Sequence, residues 1–220
     1  MAQPVNFQPL PDRWSAGAWL VVRPGTGLGA APGGSQLGGS QAGARLAWLL
    51  APSSSVALFG RLTTPLRGRG AEAAAGVEWQ LGKAPVRLLV ERRVGIDGVR
   101  GGFGAGVVGG TDGPVAPGFR LESYGQAGAI HRERLEPYAD GAARITRQVA
   151  GSATDIRLSI GAGAWGAIQR DASRLDIGPS VTLTLPVARQ PLRLALDWRQ
   201  RVAGDARPGS GVALTLGTDF

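Results

Sequence analysis

The chain has 220 residues, 43% hydrophobic and 18% charged, and a formal net charge of +8 carried almost wholly by arginine, Lys83 being the single lysine. It has no cysteine, which excludes disulfides, thiolate chemistry and Cys-ligated metals. Its longest apolar runs, such as Leu46–Ala51, are far short of the roughly 20 residues of a membrane-spanning helix, and its 36 glycines disfavour long helices of any kind.

Residues 1–13 hold Pro4, Pro9 and Pro11 and read as a linker or N-terminal arm. They carry neither the basic nor the apolar stretch of a secretory leader, which fits an intracellular chain, or a mature chain or domain whose leader lies upstream. From Trp14 to Phe220 the apolar residues recur with a period of two, the signature of strands. The spacing predicts twelve strands in one domain, residues 14–220: 14–23, 40–50, 55–64, 71–81, 86–95, 101–110, 118–130, 137–149, 155–168, 174–185, 191–202 and 210–220. Ten or fourteen would also accommodate the pattern. Turns are expected at 52–55, 82–85, 111–114 and 204–210, and one long Gly- and Pro-rich loop at 24–39.

Taken in order, the strands separate a polar face from an apolar one. In 40–50 and 55–64, Arg45 and Arg61 lie on the polar side, with Trp48 on the apolar side. In 71–81, Glu72 and Glu78 share a side with Ala74 and Gly76, opposite Val77 and Trp79. Strand 86–95 places Arg87, Glu91 and Arg93 together, and 118–130 and 137–149 do the same for Arg120, Glu122, Asp140 and Arg144. Arg157, Arg174 and Asp176 continue the series. Strand 191–202 sets Arg193, Asp197, Arg199 and Arg201 against Leu192, Leu194, Leu196 and Trp198. Phe59 and Trp165 fall on the polar side, as fillers of an interior or as marks of a bulge.

An alternating barrel can be soluble, with its apolar face inside, or transmembrane, with lipid on that face and water in a polar lumen. Three features favour a closed, antiparallel, all-β transmembrane β-barrel. The polar face mixes small and long charged residues, as a narrow space crossed by side chains requires. Charges on the apolar face are rare, the two clear cases being Arg92 and Arg147 near strand ends, where an arginine costs far less than the roughly 2–4 kcal/mol of the bilayer midplane. Trp48, Trp79 and Trp198 lie on the apolar face as an interfacial aromatic girdle would. The chain also ends in "VALTLGTDF", where Val212, Leu214 and Leu216 alternate toward a terminal Phe220. Bacterial outer-membrane barrels commonly close on such a strand, which the insertion machinery recognises, so the expected place is the outer membrane and the expected contacts are its lipid and that machinery.

The stretches "GSQAGARLAW" (39–48), "GRLTTPLRGRGAEAAAGVEW" (60–79), "YGQAG" (124–128), "ADGAARI" (139–145), "RLDIGPSV" (174–181) and "DWRQRVAGDARPGSGVALTLGTDF" (197–220) together resemble the C-terminal barrel of the phage-adsorption protein A family, over residues 36–220. That barrel is related in plan to the outer-membrane subunits of cellulose and other exopolysaccharide secretion systems. The resemblance implies an outer-membrane pore behind a periplasmic tetratricopeptide scaffold, serving polymer export or phage adsorption. No 34-residue helical repeat occurs in this chain, so residues 1–13 would be the stub of such a scaffold, or the chain a stand-alone relative.

Catalysis finds little support. His131 is the single histidine, so neither a triad nor a multi-histidine metal site can be built on it, and a solvated strand-end position is expected. Neither "GTGLGAAPGG" (25–34) nor "PGSG" (208–211) has the context of a phosphate loop or a nucleophile. No catalytic residue, metal or cofactor is expected. The arginines are dispersed and interleaved with 16 acids, which argues against nucleic acid. Two roles remain for the inward charges. They form a pore with an Arg-rich wall for anionic solutes or exopolysaccharide, or they pair and plug a barrel that is a membrane anchor or surface receptor.

Overall fold

The computed structural model describes residues 13–24, 39–51, 55–152, 156–187 and 190–219. The expected arm, most of the 24–39 loop and the terminal Phe220 lie outside the described residues. Twelve strands follow one another: β1 (Trp14–Val22), β2 (Gln41–Ala51), β3 (Val56–Pro65), β4 (Glu72–Gln80), β5 (Val86–Gly95), β6 (Gly102–Ala116), β7 (Phe119–His131), β8 (Leu135–Ala150), β9 (Arg157–Gln169), β10 (Ala172–Val187), β11 (Gln190–Ala203) and β12 (Gly211–Asp219). Each pairs antiparallel with its sequence neighbours, and β1 pairs with β12 from Gly17↔Asp219 to Val22↔Leu214. Closure matters in hydrocarbon, where a free strand edge would leave backbone groups without partners.

The pleat decides which residues meet lipid. On β5, Leu88, Val90 and Val94 are 42%, 58% and 54% exposed, whereas Arg87, Glu91 and Arg93 between them are 5%, 4% and 1% exposed. A soluble barrel would show the opposite order. The same inversion repeats around the wall, with Leu62, Ile145, Ile160, Ile177 and Leu196 outside and Glu78, Arg144, Asp176 and Asp197 inside. The outer wall is apolar and the interior is charged.

One end of the barrel holds the start of β1 and the end of β12 and is joined by short connections such as 81–85 and 117–118; we call it the turn end. The other, the loop end, carries 23–40, 66–71, 96–101, 132–134, 170–171 and 204–210. The sixth strand differs from expectation. Residues 111–114 do not turn: β6 runs on to Ala116, pairing Gly113 with Leu121 and Pro114 with Arg120. The chain reverses at Pro117–Gly118, with Gly118 at φ 78°, the left-handed position that the second centre of a type II turn demands. Thr111 and Ser123 hydroxyls 3.1 Å apart and an Arg120–Asp112 ion pair at 2.5 Å tie this extension together. A register shift between Pro114 and Ala116 accommodates the missing proline donor.

At the loop end, the Asp97 carboxylate accepts bonds from the N–H groups of Ala71 and Gly70 at 2.8–3.1 Å, fastening the 96–101 and 66–71 connections to each other. The bonds from Ala71 and then Gly70 favour the charged form and hold the carboxyl below its ordinary value of 3.8. With the folded value depressed, the tether is complete above the ordinary value and is lost as pH falls through the lowered one. Carboxyl NMR of Asp97 is expected to show a midpoint below the ordinary aspartate value, with amide exchange at Gly70 and Ala71 rising as pH falls through it; a midpoint at the ordinary value of 3.8 would remove the tether.

Candidate functional site: a lumen of buried ion pairs

Because each strand alternates, the inward charges collect along the barrel axis in three groups. On the β4–β5 wall, Glu78 meets Arg45 of β2 and Arg87 of β5, the latter at 3.3 Å. Glu91 is bound by Arg61 of β3 at 2.9 Å and by Arg93 through Nε at 2.6 Å. Glu72 holds Arg132 at 2.6 Å and Arg93 at 3.7 Å. On the β10–β11 wall, Asp197 accepts from Arg144 of β8 at 2.7 Å, Arg199 at 3.1 Å and the Ser180 hydroxyl at 2.7 Å. Asp176 accepts from Arg201 at 2.8 Å, Arg23 at 3.5 Å and its strand neighbour Arg174. Nearer the turn end, Arg193 of β11 reaches Glu122 of β7 at 2.5 Å and approaches Asp112 at 4.0 Å.

Several of these bonds bypass strands. Arg144 spans from β8 to β11, Arg23 from the end of β1 to β10, and Arg193 from β11 to β7, so guanidinium groups cross the lumen rather than lying along one wall. Aromatic side chains support them. Trp165 is a lumen filler, with Arg199 at 4.6 Å and Arg144 at 5.5 Å from its ring, and Phe59 lies beneath Arg45 at 5.2 Å. Trp19 lies across the α-carbon of Gly43, where a Cβ would collide with the indole.

The members of these pairs are not equally buried. The side chains of Asp176 and Asp197 are fully buried, and Glu78 and Glu91 nearly so, whereas those of Arg45, Arg61, Arg193 and Arg201 keep 17%, 12%, 18% and 14% of their surface. Short acids sit back against the strands and long arginines cover them. A buried carboxylate without countercharge would cost several kcal/mol, and two or three guanidinium partners offset that. The guanidinium groups of Arg45, Arg61, Arg193 and Arg201 keep contact with the lumen, whereas Arg87, Arg93 and Arg144 are buried along with the acids they bind. Arg157, half-buried at the turn end of β9, pairs with no carboxylate among the described residues.

Of the other residues singled out by sequence, Arg120 is exposed at the turn-end rim, and Asp140 accepts from Gln126 at 2.6 Å. Trp79 and Trp198 are exposed on the outer wall, Trp79 at the turn end of β4 and Trp198 within β11, and Trp48 stacks on Trp14 at 6.0 Å at the same end as Trp79. Val212 and Leu214 face outward. Arg23, Arg132 and Trp19 are not among the residues that the sequence singles out; the parity of β1 would find Trp19, whereas Arg23 lies 153 residues from its partner. Among the described residues no group of three or more His, Asp or Glu could hold a metal.

No family model matches the chain, and no curated protein matches its sequence. Solved structures do match its shape. An outer membrane channel from Pseudomonas putida F1 aligns with a TM-score of 0.51 at 12% identity, covering 100% of this chain and 99% of that one. A KdgM porin aligns at 0.45 and 10% identity, covering 94% and 98%, and a bacterial polysaccharide outer membrane secretin at 0.45 and 10%, covering 96% and 99%. The fold is that of outer-membrane barrels. With its apolar exterior and charged interior, the chain is a barrel of the bacterial outer membrane.

Proposed function

We propose that the barrel is a narrow passive conduit that favours anions. The observation that carries this reading is the layering of the lumen, with Glu78, Glu91, Asp176 and Asp197 buried against the wall and the mostly buried but still accessible guanidinium groups of Arg45, Arg61, Arg193 and Arg201 in front of them. An anion entering would exchange part of its hydration shell for guanidinium donors and pass between several weak sites rather than rest at one. The short connections and both termini face the periplasm in this reading, as in bacterial outer-membrane barrels generally. Acidic polysaccharide belongs to the same chemical class. With the resemblance to phage-adsorption barrels, it is the polymer cargo to test, delivered by a periplasmic tetratricopeptide scaffold on the N-terminal side.

A second reading rests on the transverse bonds. Arg144–Asp197 and Arg193–Glu122 span the lumen, and a barrel permanently barred by them would be an anchor or a surface receptor, phage included. Planar bilayer recordings separate the two. The wild type is expected to conduct, with a reversal potential in a KCl gradient that reports anion preference. Arg193→Ala is expected to raise conductance about twofold to fivefold by removing the bond to Glu122, and Arg193→Glu to move the reversal potential toward the cation side. A silent wild type that conducts only after Arg193 or Arg144 is shortened supports the barred barrel and overturns the conduit.

A further inference from the structure

Two arginines on the described strands face lipid, Arg92 on β5 and Arg147 on β8, and neither pairs with a carboxylate among the described residues. Each instead lies over a phenylalanine of the neighbouring strand. Arg92 stands 4.4 Å from the ring of Phe103, and Arg147 stands 5.9 Å from that of Phe119. Phe103 is 67% exposed and Phe119 41%, so both assemblies are on the outer surface of the wall.

Their placement is tied to a single strand. Phe103 registers with His131, the last residue of β7, and Phe119 is the first. The two Arg–Phe pairs therefore lie at opposite ends of β7. Twelve intervals of strand rise span about 40 Å, or roughly 30 Å along the membrane normal at a tilt near 40°. That rise of β7 is comparable to the hydrocarbon layer, about 30 Å thick, and the arginines flank it, Arg147 one strand and Arg92 two strands away. The loop-end pair stands on a row across the wall, Arg92, Phe103, His131 and Leu135, which stops at the β7–β8 hairpin where the wall ends. Val94 and Ile96 stand beyond Arg92 on its own strand side, so the guanidinium extends sideways over the ring toward that hairpin instead of along β5.

An unpaired guanidinium on a lipid-facing wall needs an anion at the level where acyl chains end. The geometry points to two lipid-phosphate sites, one at each membrane boundary: Arg92 with Phe103 and the exposed His131 at the loop end, and Arg147 with Phe119 at the turn end. In each, the guanidinium offers a planar pair of N–H donors to phosphate oxygens while its other face rests on the ring, which fixes its direction and shields its stem from water. The ligand is the anionic phosphodiester headgroup of a membrane lipid. The sites are independent of conduction, since neither arginine touches the lumen.

The test is the association of spin-labelled phosphatidylglycerol, relative to spin-labelled phosphatidylcholine, with the barrel reconstituted in phosphatidylcholine bilayers. Arg92→Gln and Arg147→Gln are each expected to remove roughly half of the preference for the anionic lipid, and the double variant nearly all of it, one arginine at a membrane surface being worth about fivefold at its own site. Phe103→Leu keeps the charge and is expected to remove a smaller part than Arg92→Gln. It serves in place of Arg92→Gln should that variant fail to show the heat-modifiable gel mobility of a folded barrel; Phe119→Leu does the same for the turn end. A wild-type preference retained in either arginine variant overturns the assignment.

Discussion

Replacing Asp197 by alanine is expected to lower the unfolding free energy of the barrel by about 3–5 kcal/mol, measured by urea titration in lipid vesicles with tryptophan emission as the signal. Asp197 is fully buried and accepts from Arg144 at 2.7 and 3.2 Å, from Arg199 at 3.1 Å and from Ser180 at 2.7 Å. Without it, two guanidinium groups remain side by side over one indole, that of Trp165, with no countercharge between them. Most of the cost is that uncompensated charge rather than the lost bonds, so a second substitution should recover part of it. Asp197→Ala with Arg144→Met is expected to be less destabilised than the sum of the two single variants, because residues of one network are not additive. Additive losses would show that Arg144 and Asp197 act separately, and a wild-type midpoint for Asp197→Ala would remove the ion-pair core from the account of stability. Trp165 lies in the affected cluster, so its emission should shift in the same variants.

The wall of this barrel was legible from sequence, and the reason is geometric. A strand in a closed barrel offers every second residue to lipid, so Leu192, Leu194, Leu196 and Trp198 against Arg193, Asp197 and Arg199 leave no choice of side. The predicted strands agree with the observed ones within a few residues except where β6 passes through Thr111–Pro114. There the turn chemistry of Asp-Gly-Pro misled, because the β6–β7 hairpin extends well past Gly109 and its strands are held by the side chains of Thr111, Ser123, Asp112 and Arg120. The lumen was legible only as a list of charges. Parity placed Arg144 and Asp197 on one face of the sheet, but nothing local could show that they meet across two intervening strands, 53 residues apart in the chain. Nor could it show that Asp176 and Asp197 would be fully buried while Arg45, Arg61, Arg193 and Arg201 keep part of their surface. That layering follows from side-chain length, since an aspartate ends near the wall while a guanidinium reaches over it. Arg92 and Arg147 were legible as exceptions to the apolar face, while their phenylalanine partners depended on the register between strands.

Glycine at 161 is expected to be far less replaceable than glycine at 60, although both lie within strands. Gly161, on the lumen side of β9, pairs with Thr146 of β8 and Ser180 of β10. A Cβ built there would stand 2.8 Å from the α-carbon of Thr146 and 2.9 Å from the carbonyl carbon of Ile145, and nearer still to the oxygen of that carbonyl. Each obstacle is backbone, so no rotamer change can make room and β8 must shift relative to β9. That shift would disturb the neighbours of Arg144, two residues from Thr146, and with them the bond to Asp197. Overpacking of this kind costs about 1–3 kcal/mol for a single methyl, and a branched side chain more. Gly161→Ala is therefore expected to lower stability by that amount, and Gly161→Val to leave little heat-modifiable folded protein. Gly60 lies exposed between Leu58 and Leu62, with nothing within 4 Å of a Cβ. Gly60→Ala adds a methyl to the lipid-facing wall and removes backbone freedom from the unfolded chain, and is expected to change stability by less than about 0.5 kcal/mol or to raise it slightly. Equal midpoints for the two alanine variants would mean that the close approach of β8 to β9 at Gly161 places no constraint on the barrel.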